Sequence, residues 1–318
     1  MSNILKKVQS RFSVAMLSLW GILFSLFVVT GLVDHYFFTI SSIGVTLQLA
    51  VPLGLLAAGQ TICMLTGGID LSIAMIATGA AFIVSIKSSS GLGLAILYAT
   101  LYCILIGTIN GLAVGLFGMN PLIMTLGMNA VLIGVFTVGI TTFLKGSSTM
   151  PDIIIKLSSG SIIDPISWPF LLWIFFGGLI IFLLSKTGLG RLIYAVGDNA
   201  TAARLAGVRV WKVQLAAYII CALLGGLAGL MIGGQSGAVA MSLADSLVLP
   251  SVAAVVIGGT SIMGGIGSYT GSIMGALILT VLSYLLATIN SSEAVKQMIY
   301  GFIVLTLAWT YSKLTEKS

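Results

Sequence analysis

One acidic side chain stands between two strongly apolar segments of this sequence. Asp70 lies in the string TGGIDLS, Thr66 to Ser72, which leaves no room for a full loop. A carboxylate at membrane depth is costly, so such a residue is a candidate functional site by default. Asp70 could bind a cation or a proton, as the broken helices of ion-driven carriers do, or it could cap the following helix. No second acid stands in a nearby apolar segment, which favours the capping role.

Other patterns that could support chemistry are incomplete. The glycine-rich string GGTSIMGG, Gly258 to Gly265, lacks the Lys and Ser/Thr that follow the second glycine of nucleotide-binding loops. His35 is the single histidine, so no Ser/His/Asp arrangement can be built around a second one. The cysteines Cys63, Cys103 and Cys221 match no metal-ligand or disulfide spacing. We therefore predict a protein that is not an enzyme and has neither a metal nor an organic cofactor.

The composition places the chain in a membrane. Of its 318 residues, 58% are hydrophobic and 7% are charged, and the mean hydropathy is +1.17. A water-soluble domain of this size does not sustain such values. The net charge of +6 needs no nucleic-acid partner, because the basic residues cluster at the ends of apolar segments. The sequence predicts an all-α, polytopic membrane protein that forms one transmembrane domain over residues 1–318, with membrane lipid around it.

Apolar runs of roughly 20 residues predict about ten transmembrane helices. The runs cover residues 13–31, 44–65, 71–86, 92–117, 122–144, 168–184, 213–233, 250–263, 270–289 and 297–311. Glycines interrupt the chain near residue 258, so broken or re-entrant segments are expected there. Ten crossings place both chain ends and residues 186–212 in the cytoplasm. This orientation leaves ten basic residues inside and four outside, as the positive-inside rule requires.

The polar stretch 186–212 carries five of the fourteen basic residues. Within it, Asp198 or Asn199 can cap a short helix from Ala200 to Ala206, and Gly207 can supply the left-handed conformation that ends it. A helix of about two turns is not stable alone. It must be held by the flanking spans or docked against a soluble partner, and an ordinary basic loop that only fixes the topology is the alternative.

Three sets of glycines are spaced four residues apart, so that each set shares one face of a helix. Such faces allow helix backbones to approach closely in a membrane, whatever the cargo. The sequence therefore predicts a tightly packed bundle at Gly107, Gly111 and Gly115, at Gly225, Gly229 and Gly233, and at Gly267, Gly271 and Gly275.

Three strings carry a resemblance to a known family. LTGGIDLS (65–72), GLGRLIYAVGDNATAARLAGV (188–208) and AAVVIGGTSIMGGIGSYTGSIMGALIL (253–279) resemble the permease subunits of ribose-type, monosaccharide ABC importers. The resemblance implies a multi-pass protein of the bacterial cytoplasmic (inner) membrane, paired with a second permease copy or paralogue. It also implies two partners, a cytoplasmic ABC ATPase subunit and an extracytoplasmic sugar-binding protein. One departure is the run SLVLPSVAAVV, which lacks the acid that many members have shortly before AAVV.

The resemblance also assigns residue roles. The short helix in the polar stretch corresponds to the coupling helix, so the ATPase contact is expected at Asp198, Asn199, Ala203, Arg204 and Gly207. Sugar hydroxyls need hydrogen-bond partners along a path, although each candidate could instead bond between helices. The candidates for the translocation path are Gln60, Thr66, Asp70, Ser72, Asn110 and Asn129.

Two other classes of function are compatible with the residues alone. An ion-gradient-driven carrier or channel would use Asp70 as its ion site, and an anchoring subunit would support assembly without flux. Within the importer class, the sequence leaves the cargo open among ribose, another pentose or hexose, and a modified sugar such as a quorum signal.

Overall fold

The computed structural model describes residues 2–142, 148–163 and 165–315. These residues form thirteen α-helices and a two-stranded antiparallel hairpin of β1 (Ser161–Ile163) and β2 (Ile166–Ser167). The helices are α1 (Ser2–Val33), α2 (Ile40–Leu65), α3 (Ile73–Lys87), α4 (Leu92–Gly115), α5 (Pro121–Thr142), α6 (Asp152–Ser159), α7 (Trp168–Lys186), α8 (Gly188–Asp198), α9 (Ala200–Leu205), α10 (Val210–Ser236), α11 (Val248–Ile257), α12 (Tyr269–Thr288) and α13 (Glu293–Thr315).

Eight of the described helices are long and apolar enough to cross a membrane, namely α1, α2, α3, α4, α5, α7, α10 and α12. The all-α, polytopic fold class is therefore confirmed. Helix α13 has 23 residues, the length of a span. Helix α11 has 10 residues, so it reaches about 15 Å, roughly half of the hydrocarbon thickness. The predicted interruption after residue 257 is present, and the number of ten spans is approximate because α11 does not cross alone.

Helix α10 lies at the centre of the bundle and packs against α2, α3 and α4. The predicted glycine faces make these contacts close. A Cβ atom at Gly111 would lie 2.7 Å from the Cα atom of Leu215, and one at Gly229 would overlap the backbone of Ala77. A Cβ atom at Gly275 would likewise overlap the backbone of Ala254, so α12 packs closely on α11. The tight packing predicted from the glycine spacing is confirmed for the first two sets and for Gly271 and Gly275. Gly267 does not share their helical face, because it precedes α12 in a turn with φ of +146°.

Two segments contain more structure than the sequence indicated. The polar stretch holds α8 in addition to α9, because Ile193 and Val196 on one face of α8 are buried against the bundle while Arg191 on the other is exposed. The predicted outer loop between α5 and α7 contains α6 and the hairpin. Residues 143–147, 164 and 316–318, which include two of the counted charges, Lys145 and Lys317, lie outside the described residues.

Candidate functional site

Helix α9 is a short, capped helix at the basic end of the bundle. The Asn199 Oδ1 atom accepts a hydrogen bond from the Ala202 amide at 2.9 Å, which identifies Asn199 as the cap. Gly207 has φ of +86°, so the helix ends in the left-handed conformation that was predicted. The length of six residues, somewhat under two turns, and the two end signals match the sequence pattern, and the helix stops one residue before the predicted Ala206.

The predicted coupling residues divide into an anchored face and an exposed face. Ala203 is buried against the bundle, whereas Asp198, Asn199, Arg204 and Gly207 are exposed. Sequence reasoning missed their neighbour Leu205, whose side chain is 86% exposed. A leucine so exposed on the polar side of a membrane protein is the kind of apolar anchor that protein interfaces bury. In the sequence, only its position next to Arg204 points to Leu205 as a contact residue.

Helix α8 carries α9 and is tied to two turns of the bundle. The Tyr194 hydroxyl donates to the Gly267 carbonyl oxygen at 2.9 Å. Burial raises the pKa of the Tyr194 phenol, so the hydroxyl remains a donor at neutral pH. At the end of α8, a Cβ atom on Gly197 would overlap the Leu65 carbonyl oxygen and lie 2.5 Å from the Gly265 amide nitrogen. These contacts hold α8 against the bundle at backbone distance.

The two turns are also joined to each other. The Gly265 amide donates to the Leu65 carbonyl oxygen at 3.0 Å, which links the turn before α12 to the end of α2. We call this region, residues 65–68, 194–198 and 264–267 on the side predicted to be cytoplasmic, the cytoplasmic junction. Each of the three sequence strings that carry the family resemblance contributes one stretch of backbone to this region. Because no side chain separates these backbones, α8, the end of α2 and the turn before α12 are in direct backbone contact.

Asp70 lies next to the junction in a buried polar network. The Gln60 side chain donates to the Asp70 carbonyl oxygen at 2.6 Å and accepts from the Asp70 amide at 3.2 Å. The Asp70 Oδ1 atom accepts from the Ser72 amide at 2.9 Å and from the Ser72 hydroxyl. Asn110 donates to that hydroxyl at 2.9 Å. All four residues are fully buried. The predicted capping of α3 by Asp70 is wrong, because α3 begins at Ile73 with Ser72 at the N-cap position, and Asp70 bonds to Ser72 in the turn before the helix.

The remaining path candidates lie elsewhere. Thr66 donates to the Cys63 carbonyl oxygen at 2.8 Å, and Asn129 is half-buried on α5, so no described contact joins either of them to the network. Thr125, which sequence reasoning missed, accepts from the Leu71 amide at 3.1 Å and fixes the same turn from α5. Nothing in the sequence distinguishes Thr125 from threonines that make no such contact. A path role for the six candidates stays a prediction.

Three polar atoms in or beside the network make no hydrogen bond. Within the described part of the chain, the Asp70 Oδ2, Asn110 Oδ1 and Tyr218 hydroxyl atoms are buried without a hydrogen-bond partner. Across all the residues that the structure describes, no group of three His, Cys, Asp or Glu side chains is placed to hold a metal ion. The arrangement can therefore fix a turn through hydrogen bonds, and it presents no cluster of acids for a proton relay.

Comparison with known proteins decides the family. Residues 42–308 match the family described as branched-chain amino acid transport system, permease component. The chain belongs to this permease family. It is 31% identical over 298 residues to the autoinducer 2 import system permease protein LsrC of Photorhabdus luminescens, which covers 92% of this chain and 86% of the relative. The corresponding protein of Yersinia pestis (strain Pestoides F) is 31% identical over 288 residues, or 88% and 80% of the two chains.

These matches confirm the permease prediction over the ion-gradient carrier. The permease is a multi-pass inner-membrane subunit of an ABC importer and not an enzyme, since ATP hydrolysis belongs to a separate subunit. An importer permease of this kind requires an ATPase and a substrate-binding protein as partners. No solved structure matches the chain significantly.

Proposed function

We propose that this permease couples ATP hydrolysis to the import of a small polyhydroxylated molecule, with α9 as the contact for the ATPase. The observation that carries the proposal is the exposed, capped α9 attached to the cytoplasmic junction through α8. A motor can only do work on a membrane subunit through a rigid element that reaches its surface. Helix α9 meets this requirement because its outer face is free and its inner face, at Ala203, is anchored.

The junction gives this coupling a mechanical route. Closure of the ATPase on α9 would displace α8, and the backbone contacts at Gly197 and Gly265 would pass the displacement to the ends of α2 and α12. Two packed arrangements of such an interface differ by small shifts, and ligands select between them through differential contacts. The permease would alternate in this way between inward-facing and outward-facing states. A second permease copy or a paralogue would supply the other half of the path.

The cargo is proposed from the relatives. Two similar permeases are named for autoinducer 2 import, so we place this cargo first and ribose or another monosaccharide second. The Asp70 network is closed in this structure, because Gln60, Asp70, Ser72 and Asn110 are fully buried. We propose that these side chains hold the α2–α3 turn in the closed state and meet cargo only when the cytoplasmic ends of the helices separate.

Purification of the detergent-solubilised complex from its native membrane tests the ATPase contact. Arg204→Glu reverses a charge on the exposed face of α9, and Lys212→Glu reverses one at the start of α10 as a matched control. We expect an ATPase subunit to co-purify with the native chain and with Lys212→Glu, and to be lost with Arg204→Glu. If both variants recover the same amount of the ATPase subunit, α9 is not the ATPase contact. Absence of any ATPase from the native sample would contradict the proposed function itself.

A further inference from the structure

An apolar cavity of about 450 Å³ lies between α4, α7 and α10 in the membrane-spanning part of the bundle. Helix α7 packs against α2, α6, α8 and α12, and it faces α4 and α10 across this cavity. The inner part of the lining is buried at Cys103, Ile180 and Leu224. At the rim, Ile96 on α4 and Leu179 on α7 are 38% and 49% exposed. The cavity is therefore a groove that opens toward the hydrocarbon of the bilayer.

The lining of the groove offers nothing to a polar ligand. Among the described side chains that line it, none is charged, and only Thr100 and Cys103 carry an atom other than carbon. The Thr100 hydroxyl already donates to the Ile96 carbonyl oxygen at 2.8 Å. Water is unfavourable in such a space, because a buried water molecule needs several polar partners. The groove therefore suits a hydrocarbon chain and gives no partner to a sugar or an ion.

The dimensions of the groove match one acyl chain. On α10 the lining runs from Ile220 to Leu230, which is about 15 Å at 1.5 Å per residue. On α7 it reaches Leu183, close to the end of the helix at Lys186. A cavity of roughly 150 Å³ holds one benzene, so a volume of about 450 Å³ holds about eighteen carbon atoms. This is the carbon count of one long phospholipid chain.

A basic side chain lies where the headgroup of such a lipid would be. Lys186 is three residues beyond Leu183 on α7, so the two side chains are neighbours on the helix surface. Lys186 is exposed, and the exposed Arg191 follows on α8. Among the residues that the structure describes, neither of these two cations forms a salt bridge. Basic side chains at a membrane surface attract anionic headgroups, so the charge at this end of the groove is complementary to a lipid phosphate.

We propose that the groove binds one acyl chain of an anionic phospholipid, whose phosphate lies at Lys186 in the leaflet predicted to be cytoplasmic. The bound chain fills the space between α7 and the α4–α10 pair, and it supports α7 just before α8 begins at Gly188. The site faces the bilayer, so the proposal does not depend on which cargo is imported. A lipid that binds only the folded protein should also raise its unfolding temperature.

Photo-crosslinking in vesicles that contain the complete transporter tests the site. The probe is phosphatidylglycerol with a diazirine in one acyl chain, and zwitterionic phosphatidylethanolamine with the same chains is the comparison. Peptide mass spectrometry identifies the cross-linked residues. We expect stronger labelling in the groove, at Leu179, Leu223 and Leu227, than at Phe24, which is 69% exposed on α1. One lysine at a membrane surface should favour phosphatidylglycerol in the groove by about fivefold.

Two variants with matched controls separate the acyl chain from the headgroup. Thr100→Trp fills the groove, and Leu101→Trp places the same ring at a position on α4 that is 53% exposed and outside the lining. Lys186→Gln removes the charge at the groove, and Lys212→Gln removes one whose ammonium lies over the Trp211 ring. We expect Thr100→Trp to lose the groove labelling and the stabilisation by phosphatidylglycerol. Lys186→Gln should reduce that labelling about fivefold, and both controls should leave it unchanged.

Three results would overturn the proposal. Groove labelling no stronger than that of Phe24 would show that no lipid chain is held there, which is also the result if a second permease copy or a partner helix covers the groove. Equal labelling by the two lipids would contradict the anionic headgroup. Unchanged labelling in Lys186→Gln would remove Lys186 from the site. Lys186→Gln alters only an exposed side chain, so it decides the question if Thr100→Trp fails to assemble.

Discussion

Gly197→Ala adds one methyl group at the point where α8 meets the rest of the cytoplasmic junction. The new Cβ atom would overlap the Leu65 carbonyl oxygen and lie 2.5 Å from the Gly265 amide nitrogen. Both neighbours are backbone atoms, so they cannot rotate away as a flexible side chain would. The helix must shift, and the hydrogen bond from Gly265 to Leu65 must lengthen or break.

The expected cost follows from three contributions. Overpacking costs roughly 1–3 kcal/mol and loss of one hydrogen bond about 0.5–1.5 kcal/mol, while the better helix propensity of alanine offsets about 1 kcal/mol. The net destabilisation is therefore about 2 kcal/mol. Gly188→Ala is the matched control, since it lies on the same helix and a Cβ atom there would meet nothing within 4 Å.

Two measurements on the reconstituted transporter check this prediction. Thermal unfolding of the purified complex should occur at a lower temperature for Gly197→Ala than for Gly188→Ala. The number of cargo molecules imported per ATP hydrolysed should also fall for Gly197→Ala, because α9 remains available to the ATPase while its link to α2 and α12 is disturbed. If the two variants unfold at the same temperature and transport with equal efficiency, the junction does not carry the coupling.

Three further changes test separate parts of the account. Leu205→Ala removes three carbons from an exposed anchor and should weaken ATPase binding by about 2 kcal/mol, or roughly thirtyfold, in a titration of the ATPase against the permease; unchanged affinity would exclude this side chain from the contact. Gly229→Ala should lower the unfolding temperature because its Cβ atom overlaps Ala77, whereas Gly134→Ala, with open space around it, should not; equal temperatures would contradict the close packing of α10 on α3. Asp70→Asn keeps an oxygen that accepts from Ser72, so uptake should depend on pH and sodium no differently from the native chain; loss in the variant of a pH or sodium dependence that the native chain shows would revive an ion-coupled role.

The helices that cross the membrane were predictable because apolar runs of the required length leave few alternatives in a bilayer. The cap at Asn199 and the left-handed Gly207 were predictable for a different reason, since end signals act within a few residues. Helix α8 was missed because Gly188, Gly190 and Gly197 lower the local helix propensity, and burial of Ile193 and Val196 overrides it.

The candidate sites were harder to predict than the spans. Gln60 bonds to the backbone of Asp70 across a turn, and Thr125 reaches the same turn from another helix, so only the fold shows these pairs. The cavity between α2, α10, α11, α12 and α13 could not be predicted, because its polar side chains are mostly hydroxyls contributed one at a time by several helices. Thr46 and Thr280, for example, each bond to a carbonyl oxygen of their own helix, as such residues commonly do in any membrane helix.

ATP-driven uptake by the purified importer is the most direct test of the central claim, that this permease receives motion from an ATPase through α9. Proteoliposomes that contain the permease, the ATPase and the binding protein would be assayed with labelled autoinducer 2 and ribose, with and without ionophores that collapse proton and sodium gradients. The account predicts that one of these cargoes accumulates only with ATP, that ionophores do not reduce the uptake, and that Arg204→Glu abolishes it. Uptake without ATP that the ionophores abolish would contradict the account.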